Sequence, residues 1–554
     1  MIKQIYRSSV TAFSKKQTSI LSAASVIMAT VLVSRVLGLI RDRLLASYFS
    51  VDELGVYFAA FRIPNLLFEL LIMGALSTAF IPVFTGYLVK NEEKNAFTMA
   101  AQLINLVLIV LGILIIPLLI FTRPLSFLLV PGFSQVERET MIQFTRIMII
   151  GQLVPLVIGN FVTGMLQSFQ RFLVAALAPI VYNLGIITGI YFFSRSIGLY
   201  GAVWGVVIGA VLYLLIQVPL LIKLGYRHSL RINQRDKGVR EVIKLMLPRT
   251  LGLAVSQIDT TLDLVLASLL GSRSITIFHF AQHLQQLPIG LFGATFAQAA
   301  LPTLSVKAAK AQFPEFKKFL LVAMHQILFF VLPASMMLIV LRTPVVRLVF
   351  GAERFDWAAT VTTGKTLSLF ALSIFAQSLV QLFARGFYAL HDTKTPVVIS
   401  ILCVLVNTVL SVLFVMVYRL DVMALAMSSS IASILNALLL LIYLNHKVGG
   451  FYYKDLFLPP LKMGFASFAT GVFLYVPMKL FDKLVFDTTH VFELILLTGI
   501  ASFSGLSVYI FLAWFLDIDE VATFFKLVNK VKQAPRLIFA PTDELVQEEQ
   551  ANLP

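Results

Sequence analysis

A lone cysteine, Cys403 in the apolar run ILCVLVNTVL, excludes an intramolecular disulfide and a cysteine-ligated metal cluster. Charge is scarce as well: Asp, Glu, Lys and Arg make up 13% of the 554 residues, against 58% hydrophobic, with a mean hydropathy of +0.89. So little polar surface cannot coat a water-soluble globule of this mass, which excludes a soluble protein. The apolar runs far exceed the roughly 10-residue alternating segments of an outer-membrane barrel, and a hydrocarbon core about 30 Å thick takes roughly 20 apolar residues per helix. The class is an all-α polytopic membrane protein. There is no nucleophile elbow, Walker loop, dinucleotide fingerprint or zinc signature, and no soluble ATPase domain. A transporter without covalent chemistry and without a cofactor is expected, driven by an ion gradient, the membrane potential or the substrate's own gradient.

Acidic residues are few, 28 against 44 Lys and Arg, for a net charge of +16. Nucleic-acid binding or cytoplasmic membrane loops would each produce that excess. Apolar runs broken at charges, Gly and Pro predict fourteen helices, at 19–43, 52–87, 96–122, 138–168, 173–194, 198–224, 243–271, 274–304, 316–341, 359–388, 394–418, 422–445, 456–481 and 490–516. The first run is too long for a signal peptide and contains Arg35. The basic residues fall on one side of this topology. Lys223, Arg227, Arg231, Arg235, Lys237, Arg240 and Lys244 occupy one loop, and Lys307, Lys310, Lys317 and Lys318 another on the same side as the N-terminal tail. The opposite-side loops at Arg195, Arg273 and Arg419 hold about one basic residue each. The excess charge therefore reads as a topology signal with both termini cytoplasmic, not as a nucleic-acid surface.

Three local matches recur at close offsets. GALSTAFIPVF around Pro82 resembles ATFAQAALPTL around Pro302; Ala178-Pro179 resembles Thr395-Pro396; LYGAVWGVVIGAVLYLLI from Leu199 resembles VMALAMSSSIASILNALLLL from Val422. They predict two six-helix pseudo-repeat lobes in the same orientation, 19–224 and 243–448, joined by a basic linker 225–242. A basic tail 1–18 precedes them, two further helices occupy 449–516, and a polar tail fills 517–554.

Ionisable residues at membrane depth are costly unless they face a cavity or a partner. Helix 1 carries Ser34, Arg35, Arg41, Asp42 and Arg43, with Arg35 and Asp42 seven apart on one face. A guanidinium there suits a phosphate; the bland alternative is that Arg41 and Arg43 snorkel at the outer interface. Helix 2 has Arg62 and Glu69 seven apart around Pro64, either substrate contacts or an ion pair between helices. Helix 7 has Arg249, Asp259 and Asp263, the aspartates at i and i+4, and two like-charged buried carboxylates need a cation, a proton or an arginine. Oxygens of Asp392, Val404, Asn407 and Thr408 on helix 11 are expected to join Asp263 around a sodium ion. His279 and His283 share zinc-compatible spacing without an HExxH motif, so cavity-facing side chains are expected rather than a transition-metal site.

In order along the chain, SRVLGLIRDRLLASYF, AAFRIPNLL, GALSTAFIPVF, VPGF, LQSFQRF, LPTLS and GFYALHDTKTPV resemble the MurJ/MviN family of lipid II flippases, within the superfamily of multidrug and polysaccharide exporters. The resemblance covers helices 1 to 12. It implies two lobes around a cationic cavity in the bacterial cytoplasmic membrane, and alternating access that moves the lipid-linked peptidoglycan precursor to the outer leaflet. It also implies lipid II and membrane lipids as partners, with cell-wall enzymes as further ones. By the match, Ser34, Arg35, Arg41 and Asp42 take the places of the family's helix 1 cavity residues. The chain departs from the pattern where Phe68 and Glu69 replace an arginine pair, Met73 a glutamate and His283 an arginine. Phosphate affinity then shifts toward Arg35, Arg41, Arg62 and Arg249, and the His283 contact becomes protonation-dependent. Asp263, Asp392, Val404 and Thr408 resemble ion-site positions of some members; Asp259 is outside that pattern. Export of another polyprenyl-linked glycan or a drug, and a non-transporting scaffold, are the alternatives.

Overall fold

The computed structural model describes residues 20–73, 79–233, 236–484, 491–522 and 524. The expected tail 1–18 and all of 525–554 lie outside the described residues, as do the side chains of Met73 and Arg249. Every regular element among the described residues is helical. Among the described residues, ten helices are long and apolar enough to cross a membrane, or twelve when each of two bent pairs is one span. The helices Ile20–Tyr48 and Lys237–Leu269 are not among them; with them the fold is compatible with the fourteen expected.

The chain packs as two compact units that meet in sequence at Thr261 and Leu262. That junction falls inside a helix and not in the basic linker. The first unit is built from α1 (Ile20–Tyr48), α2 (Val51–Ala60), α3 (Arg62–Phe68), α4 (Ile81–Val89), α5 (Glu93–Leu129), α6 (Gln135–Gly151), α7 (Leu153–Ser168), α8 (Phe172–Thr188), α9 (Ser194–Ile197), α10 (Leu199–Leu215), α11 (Val218–Lys223) and most of α12 (Lys237–Leu269). Pro64 explains why the expected single helix 52–87 starts as two. Lacking an N–H, it leaves the Ala60 carbonyl without its helical donor, and the buried Thr145 hydroxyl of α6 supplies one at 3.1 Å. α8 packs on α10 through glycines: a Cβ on Gly185 would lie 2.4 Å from the Gly209 Cα. Such close approach is the device membrane helices use where no water drives them together. It leaves the opposite side of α8, with Asn183, to α1. The linker is strapped to α5, where Asn105 donates to the carbonyls of Ser229 (2.7 Å) and Arg231 (3.2 Å) and its Oδ1 lies 2.9 Å from His228 Nε2.

The second unit continues from α12 through α13 (Ser272–Pro288), α14 (Thr295–Ala309), α15 (Phe313–Val340), α16 (Arg342–Phe350), α17 (Trp357–Ala371), α18 (Ile374–Ala389), α19 (Lys394–Val412), α20 (Met423–Lys447), α21 (Tyr453–Leu484) and α22 (Val491–Phe515). The short helix α16, between two spans, was not expected. Two prolines here repeat the Pro64 arrangement. Pro333 frees the Phe329 carbonyl, which accepts from the Tyr509 hydroxyl of α22 at 2.8 Å. Pro459 frees the Asp455 carbonyl, which lies 2.9 Å from His325 Nε2.

The sequence repeat is written into the backbone. Wide π turns interrupt the helices at Glu69–Met73 and Ile289–Ala294, and again at Gly189–Phe193 and Leu413–Val417. The pair α6 and α7 bends by 41°, the pair α17 and α18 by 42°. Left-handed residues recur in register too: Asn91 with Ala311, Gln170 with His391, Gly198 with Arg419. All these pairs are separated by about the offset of the sequence matches.

Candidate functional site

α1 brings the first cluster together. Arg41 folds back on its neighbour, with Nε and Nη2 donating to one oxygen of Asp42 at 2.9 and 2.7 Å. Adjacent helical residues do not ordinarily face each other, so the contact comes from the long arginine stem curling round to a carboxylate that is completely buried. The third arm, Nη1, donates to Asn183 Oδ1 at 3.2 Å. Asn183 in turn donates to the Pro179 carbonyl at 3.1 Å and to Ser34 at 3.4 Å. Tyr57 and Tyr182 lie within electrostatic reach of the guanidinium. Arg41 is thus a fixed group with about a fifth of its side chain open, 21%, rather than a snorkelling one. Arg35, half-buried on the same helix, has no hydrogen bond or ion pair among the described residues. A guanidinium held by a buried carboxylate and still partly open, as that of Arg41 is, can receive a phosphate.

The second cluster joins α3 to α12. Arg62 donates through Nη2 to the carbonyl and Oε1 of Gln257 at 2.6 and 2.9 Å, and through Nε to the Thr261 hydroxyl at 2.9 Å. The Gln257 amide nitrogen donates to Glu69. Arg62 and Glu69 are therefore linked by an intervening amide, which replaces the ion pair weighed from the sequence. In this conformation the Arg62 guanidinium is spent on α12. Asn183 and Gln257 were missed by sequence reasoning; the signal was an amide inside an apolar run, VYNLGII and AVSQIDT.

In the second unit, Asp263 and Asn407 are buried and Val404 and Thr408 half-buried. In the first, Asp259 is half-buried. The Thr408 hydroxyl donates to the Val404 carbonyl at 2.9 Å. Asp392 does not join them. It precedes α19, and a rise of about 1.5 Å per residue places it roughly 20 Å from Asn407 and Thr408 along the axis, against ligand distances of about 2.5 Å for a hard cation. Its carboxylate instead accepts from the Thr395 N–H (3.0 Å) and hydroxyl (2.8 Å) and pairs with Lys447 at the end of α20. Burial alone would raise the Asp392 carboxyl, but the Lys447 ammonium and the Thr395 bonds outweigh it and hold it at about 2. His279 and His283 are half-buried on α13 with ring centroids 6.3 Å apart. No group of three His, Cys, Asp or Glu among the described residues is placed to hold a metal ion.

Solved structures share this architecture. A lipid II flippase MurJ in an inward-closed conformation is similar with a TM-score of 0.70 and 25% identity, over 89% of this chain and 99% of that one. An inward-facing multidrug resistance MATE family transporter of the MOP superfamily has a TM-score of 0.63 at 15% identity, over 76% and 98%, a likeness of fold alone. Among curated relatives, the lipid II flippase MurJ of Burkholderia cenocepacia is 29% identical over 75% of this chain and 82% of its own length. The probable lipid II flippase MurJ of Bdellovibrio bacteriovorus is 26% identical over 91% and 96%. The family model described as lipid II flippase MurJ matches residues 45–495, most of the chain. With the blocks from SRVLG to HDTKTP in order and the repeat in the backbone, the chain belongs to the MurJ lipid II flippase family.

Proposed function

We propose that this protein is a lipid II flippase of the bacterial cytoplasmic membrane, with both termini cytoplasmic, moving the lipid-linked peptidoglycan precursor to the outer leaflet by alternating access. The observation that carries the reading is the Arg41 guanidinium, clamped by Asp42 and Asn183 with one side open, with Arg35 six residues earlier on the same helix. The pyrophosphate binds to these two arginines and Ser34, while the polyprenyl tail stays in lipid beside α21 and α22. Carrying an anionic head group through a low-dielectric region is costly, and fixed cations lower that cost without reorganising. Arg249 and His283 are further head-group contacts. Lobes 19–224 and 243–448 act as the alternating bodies.

The repeat supports a cation in the second lobe. Asp42 corresponds to Asp263 and Asn183 to Asn407, at offsets close to those of the π turns. Where the first lobe has Arg41 with that carboxylate and amide, the second has Leu262. Sodium held by Asp263 and Asn407, with Val404 and Thr408 adjacent, takes the place of the missing guanidinium and couples transport to an ion gradient.

The test is complementation of flippase-depleted bacteria together with a direct assay of precursor reaching the outer leaflet. Wild type restores both, and Arg35→Ala accumulates in the membrane but transports nothing. Transport by Arg35→Ala at normal expression removes Arg35 as a substrate contact, and failure of the wild type removes the function.

A further inference from the structure

The second unit buries one histidine against one glutamate, neither of them among the residues of the candidate site. His325, inside α15, and Glu520, in the turn that follows α22, are 7% and 8% exposed. His325 Nδ1 lies 3.7 Å from Glu520 Oε1. Its other nitrogen, Nε2, lies 2.9 Å from the Asp455 carbonyl that Pro459 has left without a helical donor. A carbonyl can only accept, so Nε2 carries a hydrogen and the tautomer is settled. Nδ1 therefore presents either a lone pair or a second proton to the carboxyl oxygen. A bare nitrogen against an ionised carboxylate would set two unscreened lone pairs together in a buried place. One proton between them removes the conflict, whether it resides on the ring or on the carboxyl.

Burial disfavours charge on either side chain, which favours a neutral imidazole and a proton kept on the carboxyl; the exposed carboxylates of Asp455 on α21 and Asp519 in the turn act on the imidazole only from a distance, and Asp519 likewise on Glu520. The nearby ammonium of Lys462 on α21 is occupied by the Leu516 carbonyl at 2.7 Å. Tyr509 of α22 also faces Glu520 and donates its hydroxyl to Phe329. Burial pushes the Glu520 carboxyl above the ordinary range.

We propose that His325 and Glu520 form a proton-binding site that latches the turn after α22 onto α15 and α21. The turn is docked while one proton is held between the two side chains, and it loosens when that proton leaves. Free glutamate and free imidazole release their protons near about 4.3 and 6.5. A folded pair that retains one above about pH 6.5 binds more protons than the unfolded chain, so the latch is complete below that pH and is lost as pH rises through the pair's release.

The experiment follows hydrogen exchange of the 513–522 peptide in the full-length protein, reconstituted in nanodiscs of phosphatidylethanolamine and phosphatidylglycerol, from about pH 6 to about pH 9. Corrected for the intrinsic exchange rate, wild-type protection is expected to drop by about tenfold or more across that range. In Glu520→Gln, whose neutral amide donates to Nδ1 at every pH, protection stays constant. In His325→Gln, whose amide keeps the bond to Asp455, the drop moves to lower pH because the ring no longer shares the proton. Wild-type protection that does not change with pH overturns the proposal, whether or not either variant folds. So does a drop that persists in Glu520→Gln or keeps its position in His325→Gln.

Discussion

Arg41–Ser47 reads RDRLLAS and Leu262–Ser268 reads LDLVLAS, so the two lobes hold a buried carboxylate at the same place in the repeat, Asp42 and Asp263. In the first copy arginines flank it; in the second, leucines do. Asparagine follows the same pattern, with Asn183 and Asn407 both buried one turn or two before a π turn. Duplication has kept the bends, wide turns and left-handed corners, which backbone geometry demands. It has let charge diverge. Helix packing diverges in the same sense: Gly189 meets Gly205 backbone to backbone in the first lobe, whereas in the second the Ser411 and Ser428 hydroxyls bond at 2.5 Å. The conserved layer is mechanical and the divergent layer is chemical, which is the division expected if one lobe handles an anion and the other a cation.

The comparison breaks most sharply at Arg41. Arg41→Ala leaves Asp42 fully buried without its guanidinium, an expected loss of about 3 kcal/mol with transport abolished. Arg41→Ala with Asp42→Ala removes the stranded charge and should recover much of the stability but none of the transport, read by melting the purified protein and by complementation. Recovered transport in the double variant would show that Arg41 serves only Asp42. Gln257→Leu comes next: Arg62 loses the Oε1 acceptor and Glu69 loses its amide donor, for about 2 kcal/mol of thermal stability. A loss no larger than that of an exposed substitution would mean the amide bridge adds nothing.

Asp263 and Asp392 separate the cation reading from a capping role. Melting in sodium and in potassium at equal ionic strength should differ in the wild type and not in Asp263→Asn, because a ligand bound to the folded state raises its stability by mass action. Asp392→Asn should leave the sodium difference intact and cost at most about 1 kcal/mol, since Lys447 is well exposed. The sign of its pH dependence follows from a folded pKa below the free value. Its contribution is fully present above about pH 4 and disappears as pH falls toward about 2. Asp392→Asn should therefore flatten only the acid end of the melting curve.

Much of this was legible in the sequence because it rests on long apolar runs. The spans, the two-lobe repeat and the α1 charges were read from hydropathy and offset alone. The bend at Ser373 was not, since no proline or glycine lies near the break, and the one at Gln152 was passed over although Gly151 precedes it and Pro155 removes the donor of the Gly151 carbonyl. α16 was missed because nine residues with two arginines resemble a loop. Partners were the hardest to read. Arg62 and Glu69 share a face, but only the fold brings Gln257 between them. Asp392 was grouped with Asn407 and Thr408 by composition, although the helical rise between them already keeps them apart.

The smallest effects test whether the two lobes are built by the same rule at their prolines. In the first, the carbonyl released by Pro64 accepts from Thr145; in the second, the one released by Pro333 accepts from Tyr509. Both donors are buried and both come from another helix. Thr145→Val is nearly isosteric and removes only the hydroxyl, as Tyr509→Phe does. Hydrogen bonds between membrane helices average about 0.6 kcal/mol, with a ceiling near about 1.7, because a chain partly unfolded in lipid finds substitute donors. Each variant should therefore lower the melting temperature by a small and similar amount, and the two losses should add in the double variant, since the sites share no partner. A Tyr509→Phe loss well above that ceiling would show that the phenol does more than satisfy Phe329. A loss confined to one lobe would show that only that lobe depends on the bond to hold its proline helix in place.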